Sequence, residues 1–288
     1  MAVVIGVLLF LLAGITVFFS VPYSKTRTEF ISIRNHALIG ESKDPGVFTG
    51  EDVSHLPLPV KKYFHYCGFM GTSKMHAMKA EFRDVNFLFG SEKPAMSIDY
   101  IQYNAISEPA RIAYIRSSKY GVPFEGLDSY IAGSGSMKGV AAKLFTVFNQ
   151  TGKTMDQASL VTFLAESLVI PNAALQEYIT WEEIDDLRAK ATISCYGNTA
   201  CGVFTFDKKG ELLSFTTDDR IATAADGTSK KVKWSAVFGG YRESHGIKKP
   251  TVLKAIWHYK EGDLLYFDSK NAVIEYQYKG VDHNEENS

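Results

Sequence analysis

The stretch Gly133-Ser134-Gly135-Ser136-Met137-Lys138-Gly139 has the composition of a phosphate-binding loop, in which backbone amides cradle an anion at the start of a helix. It lacks the Gly-x-x-x-x-Gly-Lys-Ser/Thr spacing that such a loop needs, so it reads as a glycine-rich bend or bulge. Two hydrolase signatures, Gly-x-Ser-x-Gly and His-Glu-x-x-His, are missing from the sequence. The seven histidines form no ligand pair at helical spacing, and no Cys-x-x-Cys is present. Glu182-Glu183-Ile184-Asp185-Asp186 concentrates carboxylates without the alternating oxygen ligands of a calcium loop, and reads as a solvated turn. Asn149-Gln150-Thr151 fits a glycosylation sequon, which has meaning only in a eukaryotic secretory host. Glu166 is the acid of most interest. It lies late in an amphipathic segment near Pro171 and Trp181, where it either points into a cavity or is an ordinary exposed helix acid. The sequence therefore assigns no catalytic residue, no metal ligand and no cofactor. The candidate ligand-binding residues are Tyr130, Glu166, Trp181, Tyr241 and Arg242.

Bulk properties narrow the classes of function. The 288 residues carry 31 basic and 32 acidic side chains, and a net charge of −1 disfavours a polyanion-binding role. Aromatic residues make up 13% of the chain, which suits strands that pack on one another or on an apolar ligand. The cysteines Cys67, Cys195 and Cys201 are too few for a disulfide scaffold. Cys195 and Cys201 flank a turn at Tyr196-Gly197-Asn198-Thr199, so they either face each other across a hairpin within bonding reach or are two small half-buried residues.

The elements that would position these groups begin with an apolar run from Ala2 to Val21, uncharged until Lys25. At about 1.5 Å per residue it spans the roughly 30 Å core of a bilayer. The run follows Met1 directly, without a basic leader, which favours an uncleaved single-pass anchor over a signal peptide. Lys25, Arg27 and Arg34 follow the helix. The positive-inside tendency would place the domain in the cytoplasm, but translocation of a long domain overrides that tendency, so the side stays open. The expected organisation is a transmembrane anchor over 1–23, a juxtamembrane helix and spacer over 24–54, an antiparallel β domain over 55–280, and a disordered tail over 281–288. A short helix is expected after Pro59, with Val60, Tyr63 and Phe64 on one face.

Alternating strands are expected over 75–89, 95–105 and 110–117, with two more within 128–148 joined at Gly133 to Gly139. A helical insert is expected at about 154–178: one helix with Leu160, Phe163, Leu164 and Leu168 on one face, ended by Pro171, with Asp156 as a cap or first-turn acid, and a second short one over Ala173 to Tyr178. Five or six further strands form a meander, including a hairpin at Asp207-Lys208-Lys209-Gly210. The fold class is mainly β with a few helices: a curved antiparallel sheet or half-open barrel covered by one or two helices.

In order and spacing, Leu56-Pro57-x-Pro59-Val60-x-x-Tyr63-Phe64, Asp128-Ser129-Tyr130 with Gly133, Gly135 and Met137, Leu164-Ala165-Glu166 with Pro171 and Ala173, Trp181, and Gly240-Tyr241-Arg242 with Gly246 and Pro250-Thr251 resemble a bacterial family of membrane-anchored proteins. Its shared domain has no established function and no catalytic residues to carry over. The Gly240 to Pro250 stretch is also remotely similar to lipoprotein-carrier domains of the LolA/LolB type. That likeness implies a half-open barrel, closed by helices, around an apolar cavity. The functional expectation is a membrane-tethered binding or carrier-like module for an apolar ligand, lipid or lipoprotein. The alternatives are a membrane-surface enzyme, with Glu166, Arg242 and a tyrosine as its polar groups, and a non-catalytic scaffold in a membrane complex.

Overall fold

The computed structural model describes residues 1–38, 46–88, 94–223 and 229–278. The expected disordered tail and the breakers Gly40 and Pro45 lie outside them. Four helices open the chain: α1 (Ala2–Ser20), α2 (Lys25–Leu38), α3 (Gly50–Val53) and α4 (Leu58–Tyr66). Six strands follow: β1 (Ala77–Phe87), β2 (Met96–Ala105), β3 (Ala110–Lys119), β4 (Val122–Ile131), β5 (Ser134–Ala141) and β6 (Phe145–Thr151). Helix α5 (Lys153–Glu166) and a single 3-10 turn, Ala173–Leu175, separate them from the second set. That set comprises β7 (Ile179–Asp185), β8 (Arg188–Cys195), β9 (Asn198–Phe206), β10 (Leu212–Thr217), β11 (Ile221–Thr223) and β12 (Ser229–Lys231). It continues with β13 (Lys233–Gly239), β14 (Arg242–Ser244), β15 (Ile247–Lys249), β16 (Val252–Tyr259), β17 (Gly262–Ser269) and β18 (Val273–Gln277).

Fourteen strands form one curved antiparallel sheet in the order β6-β5-β4-β3-β2-β1-β17-β16-β13-β10-β9-β8-β7, with β18 also paired to β1. The sheet is not closed into a barrel: β6 and β7 are its two edges. β1 is the seam between two meanders. Its register shifts between Phe82 and Val85, where Asp84 takes a positive φ of 52°. On one side of this irregularity Ala77–Glu81 pair with β18; on the other Asn86–Phe87 pair with β17. A bulge bends a strand and interrupts its ladder, which lets one strand serve two partners.

Helices cover both faces of β2–β4. On one face, α2 sets Phe30 against Tyr103 and Tyr114, with ring centroids 6.1 and 5.4 Å apart, over Ile112 and Leu127. Ser24 caps this helix by accepting from the Arg27 amide, and Glu29 pairs with Lys138 of β5. α2 is thus docked on the sheet and is not a free spacer. On the other face, α5 and α4 fill the concavity. Val60, Tyr63, Phe64, Phe163, Leu164, Phe204, Phe206 and Phe215 are essentially solvent-free and belong to one continuous core. Burial on both faces explains why Ala110–Ile115 of β3 is inaccessible at every position. α1 is exposed along its span apart from the Lys143 contact at its last turn, and among the described residues it is the one helix long and apolar enough to cross a membrane.

Several expectations are corrected. The segment 128–148 belongs to three strands, and the glycine-rich stretch is β5 itself, with a register irregularity at Gly139/Val140. A Cβ at Gly135 would stand 2.4 Å from the Met155 carbonyl oxygen and 2.6 Å from Ser159 Oγ, so the glycine is there to admit α5. The helix ends at Glu166, well before Pro171. The apolar run continues beyond it because Leu168, Val169 and Ile170 are buried in a non-helical exit. The acidic cluster runs along the exposed edge strand β7 and its end, with Glu182 paired to Lys190 and Asp185 to Arg188. β17 is a strand beyond those expected from the sequence pattern. Cys195 and Cys201 do not face each other. A two-residue turn, Tyr196–Gly197 with φ of 51° and 76°, puts Cys195 opposite Asn198 and Cys201 opposite Thr192.

Two measurements check this packing. Gly135→Ala should lower stability by about 1–3 kcal/mol through overpacking, read as a fall in Tm, whereas Gly50→Ala, with open space around it, should not. Burial pushes the Cys67 thiol up to about 12, so alkylation of the native protein at mildly alkaline pH should leave Cys67 unmodified until the chain is unfolded.

Candidate functional site

The largest concentration of buried polar chemistry lies where the end of α5 meets β2, β3 and β4. Alternation along the strands points Tyr100, Gln102 and Asn104 of β2, Arg111 of β3 and Asp128 of β4 to the α5 face. Arg111 is only 6% exposed, and all three of its guanidinium nitrogens are engaged. Nε donates to Glu166 at 3.2 Å, and Nη1 to Asp128 Oδ2 at 2.6 Å. Nη2 donates to the Tyr100 hydroxyl and to Gln102 Oε1, the latter at 3.0 Å. Glu166 Oε2 also accepts from Gln102 Nε2 at 2.7 Å and from Asn104 Nδ2 at 2.8 Å.

Burial works against the charged guanidinium. Its neighbours Glu166, Tyr100 and Asp128 overcome that and hold Arg111 well above its ordinary pKa. Burial likewise pushes the Tyr100 phenol well up, against the pull of Arg111. One cation thus bridges two carboxylates in a hydrogen-bonded cluster. Such an arrangement fixes geometry, and no nucleophile stands free within it.

The candidate residues fall in three places. Glu166 is largely buried and is one of the two acids of this cluster, and its cationic partner is Arg111, not Arg242. Tyr130 lies in register with Arg111 on β4, wholly buried, with its hydroxyl 3.5 Å from Cys195 Sγ. Trp181 and Tyr241 sit in the second meander. The Trp181 indole donates to the Ala174 carbonyl at 2.9 Å, and the Tyr241 hydroxyl to the Leu212 carbonyl at 3.2 Å. Arg242 opens the exposed β14–β15 hairpin, whose Lys248 amide donates to the Cys67 carbonyl at the end of α4. The Gly-Tyr-Arg stretch thus leads from β13 into this hairpin.

A groove of about 620 Å³ lies on the opposite face. Its walls are Ser32, Ile33 and His36 of α2; Ser129 and Ile131 of β4; Ser134, Gly135 and Ser136 of β5; and Thr151, Gly152 and Asp156 at the start of α5. Asp156 is the first-turn acid of α5, as one of the two expected readings had it, and Gly152 holds the cap position; the Asp156 carboxylate accepts from the Gly135 amide at 2.7 Å and locks the glycine-rich strand to α5. Ser129 and Ser136 hydroxyls bond each other at 2.9 Å. Hydroxyls, one imidazole and one carboxylate thus ring two isoleucines, a lining suited to a molecule with an apolar body and a polar end. Among the described residues no cluster of three or more His, Cys, Asp or Glu could hold a metal ion.

Reading the sequence alone gives no site role to Arg111, Asp128 or the groove residues, although it singles out Ser134 to Ser136 as a rejected anion loop and Asp156 as a helix-start acid. A signal for Arg111 is present: it shares a strand face with Ala113 and Ile115, and a charge at an inward position demands a partner. Breaking a buried pair leaves an uncompensated charge. Arg111→Met should therefore lose about 3–5 kcal/mol in denaturant unfolding, and Arg111→Met with Glu166→Leu should recover part of that loss.

No curated protein matches this sequence. Among solved structures, a LolA superfamily protein from Nitrosomonas europaea shares 9% identity at a TM-score of 0.36, over 76% of this chain and 92% of that one. A DUF1329 family protein from Desulfovibrio piger shares 13% identity at 0.32, over 77% and 95%. A domain from Vibrio parahaemolyticus described as an outer membrane lipoprotein-sorting protein shares 8% at 0.34, over 73% and 87%. Residues 46–269 match the family of unknown function DUF6544, and the chain belongs to that family.

Proposed function

We propose that this protein is a membrane-tethered binding module that holds a single-chain amphiphile, of the lipid or lipoprotein-acyl class, in the groove between α2 and β4–β5. The observation that carries the reading is the groove itself. Its volume of about 620 Å³ lies in the ~300–1,000 Å³ range of small-molecule sites, with Ile33 and Ile131 to meet an acyl chain and the serines, His36 and Asp156 to meet a polar head. The concave face is filled by the side chains of α4 and α5, which supports a ligand site outside the core. α1 supplies the tether, and its connection to α2 is only Val21–Ser24.

Native mass spectrometry of the full chain with added lysophosphatidylcholine tests this. The parent should carry one lipid adduct, and Ser134→Trp, which fills the groove from an exposed strand position, should weaken it by about tenfold or more. Absence of any adduct, or one unchanged by Ser134→Trp and so held elsewhere, overturns the reading.

A further inference from the structure

The end of the sheet nearest α1 has a surface unlike the rest of the molecule. Register places the β3–β4 and β5–β6 turns together: Phe124 pairs with Ser117 on one side and with Ala141 on the other, and Ala141 pairs with Phe145. Large apolar side chains project from both tips. Tyr120 is 94% exposed and Phe145 68%, and Leu144 and Val147 are similarly bare. Soluble surfaces seldom gather such residues without a partner.

Two further observations point to the same partner. Lys143, at the β5–β6 tip, donates to the Phe18 and Val21 carbonyls at 2.9 and 2.5 Å, and so satisfies acceptors that the end of α1 leaves open. The tips therefore stand level with the last turn of α1. Their charge leans positive. Lys25, Arg27, Lys119 and Lys143 lie in segments 20–28, 116–124 and 138–149, which contain no Asp or Glu, while Arg116 and Lys138 of the same segments pair with Asp99 and Glu29 outside them. Aromatic and basic side chains at one level are the composition of a bilayer interface, where ring edges sit among headgroups and cations meet anionic lipids.

We propose that these two hairpin tips form a second membrane contact, inserting Tyr120, Leu144 and Phe145 into the headgroup layer of an anionic bilayer beside α1. This rests on the reading of α1 as a membrane tether. The contact would fix the tilt of the sheet on the membrane, which a single helix followed by a four-residue link does not do by itself.

The test is photo-crosslinking of the full chain in phosphatidylcholine–phosphatidylglycerol vesicles that carry a diazirine phosphatidylcholine tracer, with adducts mapped by mass spectrometry. Adducts are expected on α1 and on both tips. Leu144→Glu with Phe145→Glu, at exposed positions, should cut tip adducts about tenfold while leaving those on α1. Adducts on α1 with none on the tips overturn the second contact and leave the tether standing. Adducts on the tips with none on α1 support the contact while removing the tether, and adducts on neither overturn both.

Discussion

The fold hangs on the junction between the C-terminal end of α5 and β3. Glu166 is the last residue of the helix, where the macrodipole disfavours a carboxylate, and it is largely withdrawn from water, which disfavours it further. Arg111 with Gln102 and Asn104 answers both penalties in one place, and it can do so only when α5 lies at one height and one rotation against the sheet. The chain leaving the helix depends on that placement. Residues 167–172 are buried without regular structure, so their backbone groups need partners. The Leu168 and Val169 carbonyls find them in the Tyr63 and Tyr276 hydroxyls, both at 2.8 Å, and Asn172 donates to the Met75 carbonyl at 2.8 Å. One helix end thus ties together α4, β18 and the approach to β1, which is the seam of the sheet.

The two faces of β2–β4 divide the labour. The α5 face carries the buried ion cluster and the continuous core, and it is packed. The α2 face carries a smaller aromatic cluster around Phe30, and beyond it α2 and the first turn of α5 flank β4 and β5 without closing over them. The groove is the space left between. Gly135 belongs to both features: its missing side chain lets α5 approach, and its backbone lines the groove.

Sheet class, the anchor-like helix and most strand positions are legible because period-two and period-3.6 patterns report which faces are buried. The failures have physical causes. The end of α5 is hidden because burial of Leu168, Val169 and Ile170 continues the helical pattern after helical hydrogen bonding has stopped. The acidic run reads as a turn because an edge strand can carry charge on both faces when the next strand supplies Lys190 and Arg188. Glu166 stands out for its neighbours in sequence, yet its partner, 55 positions away, is a product of topology. No local pattern encodes that Arg111 and not Arg242 will meet it. The groove is invisible for a similar reason, since its lining is drawn from α2, β4, β5 and the start of α5, each unremarkable alone.

β4 connects the two proposed surfaces. Val122 begins it at the tips beside α1, and Ile131 ends it in the groove, nine residues on. At about 3.3 Å per residue the two ends are roughly 30 Å apart. α2 runs along this same stretch, from Lys25 at the end of α1 to Ile33 and His36 at the groove, and its Phe30 staple on Tyr103 and Tyr114 keeps it parallel to the sheet surface. With the tips resting on a bilayer, the groove would therefore open well clear of the headgroups. A ligand held there would have left the membrane entirely and would be presented to whatever lies on the solvent side. A mobile tether could not set that distance. A docked helix and a rigid strand set it together.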